Sequence, residues 1–373
     1  MELENEQKIK YKITKLGNII NLKRGYDLPK QKRVEGSIPV ISSSGINGFH
    51  NSYKVQGPGV TIGRSGKIGG SFYIKNNFWP LNTTLYVQDF KDNDVLFIYY
   101  LLKTINFKFL NAGSSVPTLN RNHAHEINIK TFEINIQKRI SSILFTIDKK
   151  IEVNNKIIAN LEEQAQAIFK SWFVDFEPFQ DGNFVESELG MIPEGWEVKT
   201  IGEISKIRSG KRPENKLEKG DIPIYGANGI TGWTDKVLIN EPSILIGRVG
   251  TLGKVQRLNK KIWASDNTLI FTSQYLDFLY FNLLRIDYSS LNRGSTQPLI
   301  AQKDISNINI VYPDINIMDG FLKNIGNYFT YIFKLEIQNK KLAEIRDALL
   351  PKLMSGEIDV SNIKIKGEEV KNE

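Results

Sequence analysis

The sequence predicts an α+β fold of two pseudo-symmetric repeats, each a β-rich globular domain followed by a long α-helix. The two helices are expected to form an antiparallel coiled coil. Three observations predict this. The second half of the chain restates the first in order. Each half opens with short apolar runs broken by Gly, Pro, Asn and Ser turns. Each half closes on a long, turn-free segment whose apolar residues step by four and three.

The duplication is read from ordered matches. "ITKLGNIINLKRG" (13–25) matches "VKTIGEISKIRSG" (198–210), with Gly17 over Gly202 and Gly25 over Gly210. "IPVISSSGINGF" (38–49) matches "IPIYGANGITGW" (222–233). "VTIGRSGKIGG" (60–70) matches "ILIGRVGTLGK" (244–254), with Pro58 over Pro242 and Arg64 over Arg248. Trp79 then falls over Trp263, and "NTTLYV" from 82 over "NTLIF" from 267. "LNAGSSVPTL" (110–119) matches "LNRGSTQPLI" (291–300), and the offset drifts only from 185 to 181. These matches place the first domain at 10–135, its helix at 136–173, a connector at 174–196, the second domain at 197–313, its helix at 314–354 and a C-terminal tail at 355–373.

Within each domain, runs such as "NNFWPLNTTLYV", "PSILIGRVG" and "INIVYP" read as short strands. A short helix follows, "VLFIYYLLKTI" in one copy and "YLDFLYFNLLRI" in the other. The first long helix carries a seam through Ile140, Leu144, Ile147, Ile151, Asn154, Ile158, Leu161, Ala165, Ile168 and Trp172. The second carries Phe321, Ile325, Tyr328, Ile332, Leu335, Asn339, Leu342, Arg346, Leu349 and Leu353. At ~1.5 Å per residue each seam spans roughly 50 Å. Each holds one Asn. Antiparallel pairing sets Asn154 against Asn339, Ala165 against Tyr328 and Trp172 against Phe321. Parallel pairing would set each Asn against Leu335 or Ile158, stranding a buried amide at a cost of a few kcal/mol. The antiparallel register is therefore expected. The connector's Pro, Gly and acidic residues read as ordered, and "KIKGEEVKNE" at the end as frayed.

Several chemistries are excluded. There are no cysteines, which removes disulfides and thiolate metal sites and suits a reducing compartment. The N-terminal "MELENEQKIKYK" is polar, so no signal peptide is expected, and no run has the length of a membrane span. "GRSGKIGG" has neither the spacing of a P-loop nor the hydroxyl after its lysine, and Thr251 replaces Lys67 in the second copy. Its glycine gaps also fail the dinucleotide fingerprint. His123 and His125 lack an evident third metal ligand and read as surface-loop residues; His50 is the only other histidine. With no histidine in the second copy, no Ser–His–Asp arrangement can be built twice. Asp175 and Glu177 read as solvated or interface carboxylates, and no Asn-Pro-Pro-Tyr motif of amino-methyltransferases is present. No cofactor and no metal are expected, and no catalytic residue is assigned.

Charge points to a polyanion. The net charge is +8, carried as +8 in residues 1–135 and +5 in 197–313, against −5 in the remainder. Two basic modules separated by acidic segments suit DNA.

"LEEQAQAIFKSWFVDFEPF" (161–179) followed by "GMIPEGWEVKTIGEI" (190–204) resembles the central region of specificity subunits of type I restriction–modification systems. The "IGRSGKIGG" and "IGRVGTLGK" pair and the end "IRDALLPKLMSGEI" (345–358) resemble the same family, over about 10 to 358 of the chain. One departure is that the first copy lacks the Pro-x-Gly-Trp lead-in of the second. The resemblance implies that each basic module is a target-recognition domain reading one half of a split DNA sequence. It implies that the helices set the spacer and dock two methyltransferase subunits carrying S-adenosylmethionine. Motor–nuclease subunits using ATP would complete a restriction complex. This chain would supply recognition only, as a cytoplasmic, non-catalytic subunit with no membrane partner. A stand-alone DNA-binding regulator or decoy of the same fold is the alternative; an enzyme with an unseen site is a third reading.

The duplication also sorts candidate DNA contacts. Residues kept in both copies serve the fold or the phosphate backbone, and polar residues that differ in equivalent loops are candidates for base readout. Arg64 and Arg248 fall in the first class, with Lys67 beside them. Asn82, Thr83, Asn267 and Thr268 read as turn formers. The second class comprises Lys30, Lys32 and Arg33 against Lys211 and Arg212, and Ser114, Ser115 and Arg121 against Ser295, Thr296 and Lys303.

Overall fold

The computed structural model describes residues 10–110, 118–294 and 296–363. The chain divides into two compact units, residues 1–154 with 338–373, and residues 155–337.

In the first unit, β1 (Lys12–Lys15), α1 (Leu16–Ile19) and β2 (Asn21–Arg24) precede β3 (Ile38–Ser42) and β4 (Gly45–His50). β5 (Gly59–Gly63), β6 (Ser71–Ile74), β7 (Trp79–Pro80) and β8 (Thr84–Asp89) follow, then α2 (Val95–Thr104), α3 (Arg121–His125), β9 (Asn128–Thr131) and α4 (Ile134–Phe173). The strands form a four-stranded sheet in the order β2-β8-β5-β6, a three-stranded sheet β4-β3-β7 and the pair β1-β9. β5 is buried along its whole length, with Val60 and Ile62 in the core and only Thr61 polar. α2 starts where Asp94 accepts the Phe97 N–H at 2.7 Å, an N-cap that satisfies one of the helix's unpaired amides.

The connector folds as a hairpin, β10 (Phe184–Ser187) with β11 (Gly190–Pro193). Trp196 is buried against Phe173, Phe176 and Phe179, with ring centroids 5.0 to 5.8 Å apart. The second unit then repeats the first. β12 (Glu197–Thr200), α5 (Ile201–Ile204), β13 (Lys206–Ser209), β14 (Ile222–Gly226), β15 (Gly229–Thr234), β16 (Ser243–Gly247), β17 (Val255–Leu258), β18 (Trp263–Ala264) and β19 (Thr268–Thr272) lead to α6 (Leu276–Leu284), α7 (Gln302–Ser306), β20 (Asn309–Tyr312) and α8 (Ile315–Ser355). The sheets are β13-β19-β16-β17, β15-β14-β18 and β12-β20, strand for strand those of the first unit.

The long helices are 40 and 41 residues, and each is divided between the units. In the first unit, Ile140 and Leu144 of α4 share a core with Leu349 and Leu353 of α8. In the second, Leu161, Ala165, Ile168 and Trp172 share a core with Phe321, Ile325, Tyr328 and Ile332. Trp172 and Phe321 lie 6.1 Å apart. The fully buried Asn154 donates its amide to Asn339 Oδ1 and Gln338 Oε1, both at 2.8 Å. The two helices therefore run antiparallel in each unit.

Three expectations change. "NTT" does not lie over "NTL": β5 sets Gly63 against Thr84, and β16 sets Gly247 against Thr268, so Asn82 corresponds to Asp266 and Thr83 to Asn267. Consecutive threonines hide this one-residue shift, and the ladder settles it. Part of the tail is core. α8 ends at Ser355 and is followed by Gly356, whose φ of +76° suits a residue just past a helix end, and the chain folds back to bury Val360 completely in the first unit. The segment "KIKGEEVKNE", expected to fray, lies outside the described residues. His123 and His125 sit on the short helix α3 rather than on a loop.

Candidate nucleic-acid interface

Each unit is organised around the duplicated Gly-Arg-x-Gly-x-x-Gly turn. A side chain on Gly63 would overlap the Lys67 carbonyl at 1.9 Å, and one on Gly247 the Thr251 carbonyl at 2.3 Å. Gly66, Gly69, Gly250 and Gly253 all have φ between +69° and +77°, where other residues are strained. Gly69 N–H closes the loop on Gly63 O at 3.0 Å, and Gly253 on Gly247 O at 3.1 Å. The spacing of the glycines is a property of this turn, not of a phosphate cradle.

The turn holds its arginine by the backbone. Arg64 N–H donates to Thr83 O and Arg248 N–H to Asn267 O, at 2.8 and 2.9 Å. Arg64 O accepts from Leu119 N–H and Arg248 O from Ile300 N–H, at 2.8 and 2.9 Å. Isolated bridges Ser65–Thr118 and Val249–Leu299 extend these links. The motif thus ties together the turn before β8 or β19 and the loop before α3 or α7. The buried hydroxyls of Thr84 and Thr268 cap the turns on Leu81 O and Ser265 O.

The guanidiniums are half-buried. Arg64 Nη1 donates to Asn82 O at 3.3 Å, and Arg248 Nη1 to Ser209 Oγ at 3.1 Å. Burial, and then the charge of Arg24, lower the Arg64 pKa. Arg248 Nε is buried without a partner among the described residues.

The other candidates distribute unevenly around this centre. Asn82 donates to the Asp27 carboxylate, joining the 27–33 loop to the turn. Lys30 and Lys32 are exposed on a 3-10 turn. Arg33 is half-buried and donates to the backbone and side-chain oxygens of Asn47, so it braces β4. Arg121 is exposed on α3, two residues past the Leu119 amide that meets Arg64. Lys67 is exposed at its turn. In the second unit Lys211 N–H donates to Ala264 O, its carbonyl accepts from Trp263 Nε1, and its side chain and that of Arg212 are exposed. Thr296 and Lys303 are also exposed, and Gln302 Nε2 reaches Ile207 O at 3.0 Å. Ser114, Ser115 and Ser295 lie outside the described residues.

His125, His50 and the connector carboxylates have partners. His125 Nε2 accepts the Leu22 N–H at 2.9 Å. Burial first, then Arg121 and Lys91 against Glu126, lower its pKa. His50 accepts from Val34 N–H and packs on Trp79. Asp175 pairs with Lys170, and Glu177 accepts from Ser171.

Sequence reasoning missed Arg24. It lies on β2 opposite Leu85, as Ser209 lies on β13 opposite Leu269. The signal was available, because the sorting of differing polar residues applies to strands as well as loops.

Comparison with known proteins agrees with this architecture. The sequence model of the type I restriction modification DNA specificity domain matches twice, over residues 8–163 and 193–347. The type I restriction enzyme MjaIX specificity subunit of Methanocaldococcus jannaschii is 32% identical over 303 residues, covering 72% of this chain and 70% of that protein. The HindI specificity subunit of Haemophilus influenzae is 27% identical, covering 78% and 84%. A crystal structure of the type I restriction–modification S subunit from M. genitalium superposes with a TM-score of 0.60 at 19% identity, over 95% of this chain and 98% of that one, a likeness of fold.

Proposed function

The chain belongs to the type I restriction–modification DNA specificity family, and we propose that it reads a bipartite duplex target, one part to each repeat, for a larger methyltransferase and motor–nuclease complex. The task of the family is recognition of DNA sequence. The observation that carries the bipartite reading is a shared frame with unshared loops. The two repeats share the backbone hydrogen bonds that hold Arg64 and Arg248, yet differ in the polar residues of the loops tied to that frame. A common frame suits the sequence-independent backbone, and different loops suit two different runs of bases.

On this reading Arg64 and Arg248 contact phosphates. Lys30, Lys32 and Arg121 in one repeat, and Lys211, Arg212, Thr296 and Lys303 in the other, reach base edges. Ser114, Ser115 and Ser295 join them by their place in the sequence, whereas Arg33 serves the scaffold of its hairpin. Two methyltransferase subunits dock on the long helices, whose outward apolar residues Val153, Ile345, Tyr331 and Ile337 are 38 to 49% exposed. The complex works in the cytoplasm, where the DNA is.

The test is co-expression of the chain with a type I methyltransferase subunit with which it co-purifies, followed by sequencing of the modified bases. The expected motif has two short elements separated by a constant run of unread bases. A single continuous motif would overturn the bipartite reading, and modification by the methyltransferase without this chain would overturn the recognition role.

A further inference from the structure

The strand residue facing the duplicated arginine differs between the repeats, and the difference is one of hydrogen-bond sign. In the second repeat it is Ser209, whose hydroxyl oxygen accepts from Arg248 Nη1 at 3.1 Å. The equivalent residue in the first repeat is Arg24. The surrounding frame is the same: Arg24 stands opposite Leu85 and Ser209 opposite Leu269, while Gly63 stands opposite Thr84 and Gly247 opposite Thr268. Both arginines of the first repeat therefore border the start of β8, one from each neighbouring strand of the sheet. At ~4.8 Å per strand step, β2 and β5 lie about 9.6 Å apart across β8, a gap that two arginine side chains reaching toward each other span.

An acceptor facing a donor has been replaced by a donor facing a donor. Arg64 spends one N–H on Asn82 O, and the remaining guanidinium donors have no carboxylate partner among the described residues. The nearby Asp27 carboxylate accepts instead from the Asn82 amide. Arg24 is exposed, so the pair opens to solvent. Two guanidiniums that repel one another, with free planar forks, are complementary to one tetrahedral oxyanion.

We propose that Arg24 and Arg64 form a phosphate seat particular to the first repeat, which grips one backbone phosphate of the DNA. Ser209 leaves the second repeat without it. The inference rests on the DNA-recognition reading and adds to it an unequal division of electrostatic work: the first repeat anchors, and its contact is the more salt-sensitive.

The experiment measures DNA affinity of the full-length chain against salt for the wild type, Arg24→Ser and Ser209→Arg. Arg24→Ser carries the residue that the same frame already holds in the other repeat. Each phosphate neutralised contributes about 0.9 to the logarithmic salt slope and Arg64 keeps part of the contact, so between about 50 and 200 mM salt the wild type should lose more affinity than Arg24→Ser, by at most about 3.5-fold. Ser209→Arg should lose more than the wild type over the same range, again by at most about 3.5-fold. Sequence preference should stay unchanged in both. Equal slopes for wild type and Arg24→Ser would overturn the seat while leaving DNA recognition standing. A wild-type chain whose DNA binding ignores salt would instead sink the recognition reading. A parallel arm adds inorganic phosphate: stabilisation of the wild type but not of Arg24→Ser, with equal DNA slopes, would assign the seat to free phosphate and overturn its role on DNA.

Discussion

Where the short helix meets the long ones, the two repeats solve one packing problem with opposite chemistry. In the first, Tyr100 donates to Asp148 Oδ2 at 2.7 Å, and Arg346 Nη1 donates to Asp148 Oδ1 at 2.7 Å. Burial, and then Asp148, raise the Tyr100 pKa far above its ordinary range. Burial works against the Arg346 charge, but Asp148 and Asp347 outweigh it and its pKa is raised. In the second repeat the same three places hold Phe281, Phe329 and Ala165. Phe281 lies 5.9 Å from Phe329 and 5.2 Å from Phe169, and Ala165 is fully buried. What the duplication keeps is volume and register. A hydrogen-bonded triad and an aromatic cluster are interchangeable there so long as each is complete, because an isolated polar group is costly and a satisfied one is close to neutral.

That comparison can be broken most strongly at Asp148. Asp148→Ala leaves the buried Tyr100 hydroxyl and the Arg346 guanidinium without their shared acceptor, and should cost about 3 kcal/mol in chemical denaturation. The triple change Tyr100→Phe, Asp148→Phe, Arg346→Ala installs the other repeat's residues and should recover most of that loss. A triple variant no better than Asp148→Ala would show that the two chemistries are not interchangeable.

The amide layer is the next largest effect. Asn154→Leu should destabilise by about 2 kcal/mol, because the buried hydrogen bond from its amide to Asn339 Oδ1 is lost. Adding Asn339→Leu should restore stability, since the exposed Gln338 can turn to water. Calorimetry of the pair decides it: a double variant as damaged as the single one would deny the layer its role in register. At the duplicated arginines, Arg64→Ala and Arg248→Ala should each weaken DNA binding about tenfold and alike for all sequences. A changed base preference in either would move that arginine from backbone to base contact.

The smallest effect is a pH dependence confined to the first repeat. His125 must be unprotonated at Nε2 to accept the Leu22 amide, and its folded pKa is lowered. The unfolded chain therefore binds the proton more tightly. Its contribution to stability is full above the ordinary histidine range near about 6.5 and is lost as pH falls below it. His125→Gln, which keeps an acceptor without titrating, should flatten the decline in melting temperature below that range. Equal declines in both proteins would show that His125 does not report there.

These comparisons also show what was legible in the residues. The helix register was, because apolar steps of four and three and one Asn per seam leave a single pairing in which the two amides meet. The motif was, because its glycines answer to a turn repeated in both halves. Asp148 was hidden, since it sits one place off the seam and its partner Tyr100 comes from a separate helix. The register of the Asn-Thr turn was hidden by repeated threonines. Val360 was hidden because a short polar tail gives no periodic signal of a segment that folds back. Arg24 was open to reading, since Gly25 over Gly210 already sets it over Ser209, but differing polar residues were sorted in loops and not on strands.

The central claim is that two alike frames carry two independent readers. It is tested most directly by exchanging the second repeat's loop 211–216 for the first repeat's 27–33 and determining the modified motif of the co-expressed complex. One half of the motif should change while the other half and the number of unread bases between them stay the same. A change in both halves, or a motif unaltered by the exchange, would contradict it.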